Sequence, residues 1–352
     1  MTLKLEKAVF SMEIKKDLKL LMKKDNYHNI FALIFDWLVI LGSACISIYM
    51  SNLIIYIISI ILIGSRMRAF DNLMHEACHR SLFTNKFYNK WIACLLVAFP
   101  IFTSFTTYCN SHFKHHRNLW DEEKDPDTKR YRIVGLDKPQ KDVKKFIINH
   151  IVKVLFLFHV PKYVLGTVSA NLYSRDTPKS EIWTRNIFWV TIITLSIMFN
   201  FWLYVILYWF IPLLTTFQII RYWAEMAEHS GLNNDSELTA SRNTFGMPWT
   251  IFLFHPHHDN FHLVHHLFPA IPHYNLKKAH IILMKDQKYR EAHHCTGFFK
   301  TTLPGFYSVV KDICTPNIVG KGRMRIDTTS FTRYFISIGA YFAPRSAKRV
   351  CI

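Results

Sequence analysis

The sequence predicts an all-α integral membrane protein with four transmembrane helices in two hairpins and a cytosolic helical cap. Three observations carry this. Two apolar blocks, residues 30–64 and 187–220, are each too long for one crossing and suit two, at about 20 apolar residues per span. The short turns near residues 51 and 200 lack Lys and Arg, whereas the N-terminal segment, residues 65–185 and the C-terminal segment are rich in them. Three histidine clusters fall on that same basic side, just past the ends of apolar segments. The excess of basic residues places both termini and all three clusters in the cytoplasm.

Composition agrees. The chain has 352 residues, 50% hydrophobic, with a net charge of +18. Its Lys and Arg flank the apolar blocks, which suits an anionic membrane surface. No nucleic-acid motif accompanies them, so a nucleic-acid partner is not expected. The seven cysteines are odd in number and form no C-x-x-C. This argues against a disulfide framework or zinc ribbon and fits a reducing compartment. No removable signal peptide is evident.

In chain order, residues 1–29 form a cytosolic or interfacial segment, with Leu18, Leu20, Leu21 and Met22 as the apolar face of a short helix. Spans follow at about 30–50 and 52–70, turning at Ser51-Asn52. Asp36, the one charge inside the first block, is expected to lie within two turns of the interface and reach water. Residues 91–109 are apolar but interrupted by Pro100, Thr103, Ser104, Thr106 and Thr107, which predicts a short buried or half-immersed helix pair. Residues 117–145 read as a loop with an acidic turn. Residues 146–168 read as an amphipathic interfacial stretch, in which His150 and His159 serve surface or packing roles. Further spans are expected at about 186–200 and 201–220, and the last passes directly into Glu225, Glu228 and His229. A membrane domain of 30–295 then ends in a helical stretch at 275–291, before a basic cytosolic tail at 296–352. His273, His280, His293 and His294 are read as surface residues.

The chemistry lies in the clusters. His75-Glu76-Ala77-Cys78-His79 spaces two imidazoles by four residues. H-x-x-H-H occurs at His112, His115 and His116, and again at His262, His265 and His266. Residues three and four apart share a helix face, while adjacent ones diverge by about 100°. In each H-x-x-H-H one imidazole can therefore face one metal ion and its neighbour a second, so the doubled histidines favour a dimetal site. Imidazole with an occasional carboxylate suits iron, zinc or copper. The first cluster also satisfies H-E-x-x-H, the zinc metalloprotease motif, with Glu76 as general base. That competing reading leaves both H-x-x-H-H clusters without a purpose, because a catalytic zinc needs three protein ligands.

Together the three clusters resemble the histidine boxes of the membrane fatty acid desaturase superfamily, over roughly residues 30–295. The resemblance implies a four-span bundle whose cytosolic cap holds two iron ions, with dioxygen as co-substrate. It implies a ninth ligand at His229, completing the set His75, His79, His112, His115, His116, His229, His262, His265 and His266. Glu225, one turn earlier, stands where the family carries a polar residue near the second iron. Glu225, Glu228, His258 and Asn260 are therefore candidates either to touch metal or to orient its ligands, whereas His255 and His257 exceed the family count. The implied reaction introduces a double bond into a fatty acyl chain or acyl lipid. The alternative is hydroxylation of a lipid, carotenoid or small amine, which a carboxylate at Glu225 favours. No fused electron-transfer module is visible, so an external donor of ferredoxin or cytochrome type is expected.

Overall fold

The computed structural model describes residues 5–162, 164–165, 176–232, 235–303 and 305–315. Helices dominate these residues. The Ser11 hydroxyl caps α1 (Met12–Leu21) by accepting from the Ile14 N–H. The first apolar block folds as α2 (Tyr27–Met50) and α3 (Leu53–Cys78). Between them Ser51 adopts a left-handed conformation (φ 46°), and the Asn52 side chain caps α3 by accepting from the Ile54 and Ile55 N–H groups. With 26 residues, α3 rises about 39 Å against an apolar thickness of about 30 Å. Its last turns, which carry the first histidine cluster, therefore project beyond that thickness.

The next apolar stretch is shorter. Helix α4 (Lys86–Ala93) continues into a π turn, Cys94–Ala98, and the chain reverses at Phe102 (φ 58°). It re-emerges as α5 (Phe105–Arg117), which carries the second cluster. The segment expected to be a loop contains a helix, α6 (Pro126–Val134). Asp125 as N-cap, Pro126 in the first turn and left-handed Gly135 at the end supply start and stop signals that outweigh the local polarity. Residues 143–155 are helical in short runs, and the remainder of the expected 146–168 stretch lies largely outside the described residues.

The second apolar block forms α7 (Lys179–Met198) and a long helix, α8 (Trp202–His229). The latter loosens into a π turn at Ile206–Phe210, just before Pro212, which has no N–H to donate. Among the described residues, α2, α3 and α8 are long and apolar enough to cross a membrane. Beyond them the cap contains α9 (Pro248–Phe254), α10 (His262–Leu267), α11 (His273–Leu283) and α12 (Val309–Cys314). It also departs from all-α: β1 (Asn243–Phe245) pairs in parallel with β2 (His294–Thr296). This pairing joins residues about fifty positions apart, which no local pattern announces.

Three apolar clusters hold these parts together. One lies between α2, α3, the 94–101 segment and the middle of α8. The second unites α1 with α10 and α11, and the third joins α6, α8 and α12. Of the face expected on α1, Leu18 is buried and Leu21 and Met22 pack partly buried against the second apolar cluster, so only Leu20 departs from it. Ile14 and Leu18, four apart, are buried against the cap, while Leu20 is 73% exposed. Asp36 is also corrected. It is fully buried, with Arg66 Nη1 3.1 Å and His257 Nε2 2.6 Å from its two carboxylate oxygens. The Arg66 guanidinium lies over the Phe252 ring, 4.0 Å from its centroid, and donates to the Phe252 carbonyl. One acid therefore ties α2 to α3 and to the cap.

Close approach of α3 to α8 depends on Gly64. A Cβ there would stand 2.7 Å from the Phe217 backbone nitrogen and 2.9 Å from the Thr216 carbonyl carbon. Gly64→Ala is expected to cost about 1–3 kcal/mol by forcing the helices apart. It should lower the thermal unfolding midpoint in detergent, and an unchanged midpoint would contradict this packing.

Candidate metal centre

The last turns of α3, the length of α5, the end of α8 and α10 converge on one buried space. His75 and His79 come from α3, His112, His115 and His116 from α5, His229 from α8, and His262, His265 and His266 from α10. The imidazoles separate into two groups. Ligand-capable atoms of His75, His79, His112, His116 and His265 all lie within 4.8 Å of one another, as do those of His115, His229 and His266. His262 joins the second group, its Nε2 lying 2.8 Å from His229 Nε2 and 3.0 Å from His266 Nε2. Adjacent histidines fall on opposite sides, with His116 and His265 in the first group and His115 and His266 in the second.

These rings point nitrogen at nitrogen. His79 and His112 bring their Nε2 atoms to 2.8 Å, and His116 and His265 to 3.0 Å. The Nε2 atom of His75 is buried without any hydrogen-bond partner. Burial pushes the pKa of His112, His116, His262, His265 and His266 well below the ordinary value, and neighbouring imidazoles push it further. His79 falls to about 4, chiefly by burial. These shifts favour the neutral ring, the form that binds metal. A buried set of converging lone pairs with too few protons to pair them fits metal cations, and five plus four imidazoles suit two.

Outer atoms fix the rings. His115 Nδ1 stands 2.9 Å from Asp125 Oδ1, and His229 Nδ1 is 2.9 Å from the Ala240 carbonyl oxygen. At His115 burial opposes the charged form, but the carboxylates of Asp127 and Asp125 outweigh it and raise the pKa. Arg242, fully buried, donates to the Ala227 and Ser230 carbonyls at the end of α8 and to Asp312. It satisfies orphan carbonyls there and holds His229 in place.

The remaining candidates are distributed differently. Glu228 joins Asp259 and His262 in a third set of close ligand-capable atoms, with Glu228 Oε2 3.8 Å from His262 Nε2. Glu225 lies outside every such set among the described residues. Its carboxylate is 2.9 Å from Arg221 Nε and 3.3 Å from Arg130 Nη1. Asn260 is buried and His258 partly buried, and both stand apart from both imidazole groups. His257 and His258 are left-handed (φ 57° and 61°), a buckle that sends His257 to Asp36. His255 lies 3.6 Å from Asp259.

Four histidines expected at the surface are buried instead. His273 Nε2 is 2.9 Å from Asn29 Oδ1, His280 Nδ1 2.7 Å from the Tyr289 hydroxyl, His293 Nδ1 3.0 Å from Asp312 and His294 Nε2 2.7 Å from the Tyr289 carbonyl. The His273 N–H donates to Glu76 Oε2 at 3.0 Å. This engages Glu76, the general base of the metalloprotease reading, on the cap side of α3.

Beside the histidines is a cavity of about 130 Å³, lined by His75, His112, His115, His229 and His262. Its other walls are Arg68, Asp71, Asn72, Tyr108, Ser111, Asp127, Arg130, Arg221, Glu225, Glu228 and Asp259. Most of these were not singled out from sequence, although Arg68, Asn72, His75 and His79 form one stripe at helical spacing. Arg221, Glu225 and Glu228 form another.

Fold and site together define a helical protein with helices of membrane-crossing length built around a polyhistidine centre. Residues 51–297 match the family model described as "Fatty acid desaturase". Over 298 residues, 81% of this chain and 83% of the relative, the chain is 32% identical to a Bradyrhizobium elkanii protein described as dihydrorhizobitoxine desaturase. The chain belongs to the fatty acid desaturase family.

Asp125 serves four donors: the His115 ring, the Trp120 and Asp127 N–H groups and the Thr128 hydroxyl. Asp125→Ala should cost on the order of 3 kcal/mol by leaving buried donors unpaired, read as a lower unfolding midpoint in metal-free protein. Asp125→Asn, which keeps an acceptor, should lose less; equal losses would refute the hydrogen-bond account.

Proposed function

We propose that the protein is a di-iron, dioxygen-dependent desaturase that removes two hydrogens from adjacent carbons of its substrate. The observation that carries this is the division of nine converging imidazoles into groups of five and four. His75, His79, His112, His116 and His265 hold one iron, and His115, His229, His262 and His266 the other. Once bound, the pair supplies the activation of dioxygen that an unactivated C–H bond requires. Overall, substrate, dioxygen, two electrons and two protons give alkene and two molecules of water.

The residues around the irons orient and insulate. Asp125 fixes the His115 ring and adds basicity to its inner nitrogen, and the Ala240 carbonyl does the same for His229. The ring of Tyr108 stacks on His112 with centroids 5.7 Å apart, covering the cavity side of that imidazole. Desaturation is favoured over hydroxylation by the name of the B. elkanii relative. The residue that spoke for hydroxylation, Glu225, is engaged with Arg221 and Arg130.

In this reading α7 crosses the membrane beside α2, α3 and α8, giving four spans with the irons and both termini on the cytoplasmic side. The basic excess supports that orientation. Electrons come from a separate carrier of ferredoxin or cytochrome type, steered by the positive surface.

Metal analysis tests the core of the reading. Purified protein should carry about two irons per chain, the number that the two imidazole groups hold. His265→Ala and His229→Ala should each lower iron content and abolish turnover; full iron in either variant removes that residue from the ligand set. One tightly held zinc with peptidase activity would overturn the reading altogether. Turnover with the electron carrier should fall as ionic strength rises, and a salt-independent rate would count against charge steering.

A further inference from the structure

The cavity beside the histidines is walled by charge of both signs. An acyl chain, the substrate expected from the resemblance, does not match such walls. It would set hydrocarbon against the guanidinium groups of Arg68, Arg130 and Arg221 and the carboxylates of Asp71 and Asp127. These groups pair with one another, Arg68 with Glu228 and Asp259, Arg130 with Asp127 and Glu225, and Arg221 with Glu225. Their remaining N–H groups and lone pairs would still lose water to hydrocarbon without replacement, which is costly. Size points the same way. The cavity measures about 130 Å³, and one of about 150 Å³ takes a benzene-sized molecule. A long chain does not fit.

Two wall atoms lack partners and are complementary to each other. Asp71 Oδ2 is buried and accepts no hydrogen bond; its nearest cations, Arg221 Nε and Arg68 Nη1, stand 3.5 and 3.7 Å away. Arg68 Nε is likewise buried and donates to nothing, although Nη2 of the same side chain reaches Glu228 and Asp259 at 2.7 Å. An unfilled acceptor and an unfilled donor, three residues apart on α3, face a ligand with a donor of its own and an acceptor of its own.

Resting on the reading that the histidines hold the reactive metal, we infer that the substrate is a small zwitterion of the amino-acid class. Its ammonium is held by Asp71 and its carboxylate by the arginine side of the cavity. Asp71 and His75 are four apart on α3, so an ammonium on Asp71 sits about one helical turn, on the order of 5 Å, from the nearest metal-holding ring. That spacing brings the carbon chain of a small amino acid beside the metal centre. The polar walls also orient the ligand before reaction, where a hydrocarbon pocket could only enclose it.

The test is calorimetric titration of iron-loaded protein in nanodiscs. The probes are α-amino acids from alanine to norleucine, n-butylamine, butyrate, stearoyl-coenzyme A and dioleoyl phosphatidylcholine. Saturable binding is expected for one or more amino acids, at least about tenfold tighter than for the singly charged probes, a factor worth about 1.4 kcal/mol. The acyl probes should not bind. Asp71→Asn should weaken amino-acid binding about tenfold or more with iron content unchanged, and Arg130→Gln should weaken butyrate and amino acids but not butylamine. Saturable acyl binding with silent amino acids would overturn the inference, as would no binding by any amino acid or an unaffected Asp71→Asn variant. Iron measured on the same samples separates the two readings. Amino-acid binding by protein that holds no iron sinks the metal reading alone, and full iron without amino-acid binding sinks only the substrate class.

Discussion

Nine imidazole nitrogens facing one another in a buried space is the constraint on which the rest of this structure depends. Neutral rings cannot all satisfy one another there: each ring nitrogen is one donor or one acceptor, yet His262 Nε2 faces both His229 and His266, and His75 Nε2 has no partner at all. Charging the rings is no remedy, since burial and mutual repulsion push their pKa values down. Cations resolve the arrangement. Without them the fold must hold the rings together against their own preference, and much of its polar machinery does this. Asp125 grips His115, the Ala240 carbonyl grips His229, and Arg242 pins the end of α8 that delivers it.

Helix geometry makes the division into two groups almost automatic. The angle of about 100° between consecutive helix residues sends His115 and His116, and His265 and His266, to opposite groups. The two H-x-x-H-H elements therefore act as a pair of forks. Helix α3 contributes to one group only, because His75 and His79 share a face. The second group takes its missing member from α8. That helix starts among apolar residues and ends in Glu228 and His229, just as α3 ends in His75 and His79. Two membrane helices that outlast the apolar layer thus meet a cap that could not bring four elements together unaided.

What the sequence made legible follows from which forces are local. Spacing along one helix reveals the boxes, and length with hydropathy reveals α2, α3 and the turn at Ser51-Asn52. Long-range electrostatics is invisible to both. Asp36 looked like an interfacial acid because its partners, Arg66 and His257, are 30 and 221 positions away. His255, His257 and His258 made their stretch conspicuous, yet the buckle there serves to anchor the cap on α2. His280 and His294 looked like surface residues because their shared partner Tyr289 is tied to Asn243 of β1, 46 positions away, a contact that no local pattern announces. The α6 helix was legible in retrospect from Asp125-Pro126 and Gly135, but a run of charges masked those capping signals.

The two imidazole groups are not equivalent electrostatically, and the sequence hid this as well. The first is a shell of imidazoles whose close neighbours are chiefly other imidazoles and the Tyr108 ring. The second lies against carboxylates. Asp125 and Asp127 stand 2.9 and 3.5 Å from His115, and Glu228 stands 3.8 Å from His262. Asp259 belongs to this side, where burial opposes its ionisation but Arg68 and His255 more than reverse it. Positive charge on the second side is therefore better compensated than on the first. Arg68 limits the imbalance by sharing one guanidinium nitrogen between Glu228 and Asp259. The same arginine lines the cavity beside the histidines, so the group that balances charge at the second imidazole group also forms part of that cavity's wall. The charge balance of the second imidazole group and the polarity of the cavity are in this way coupled through one side chain on α3.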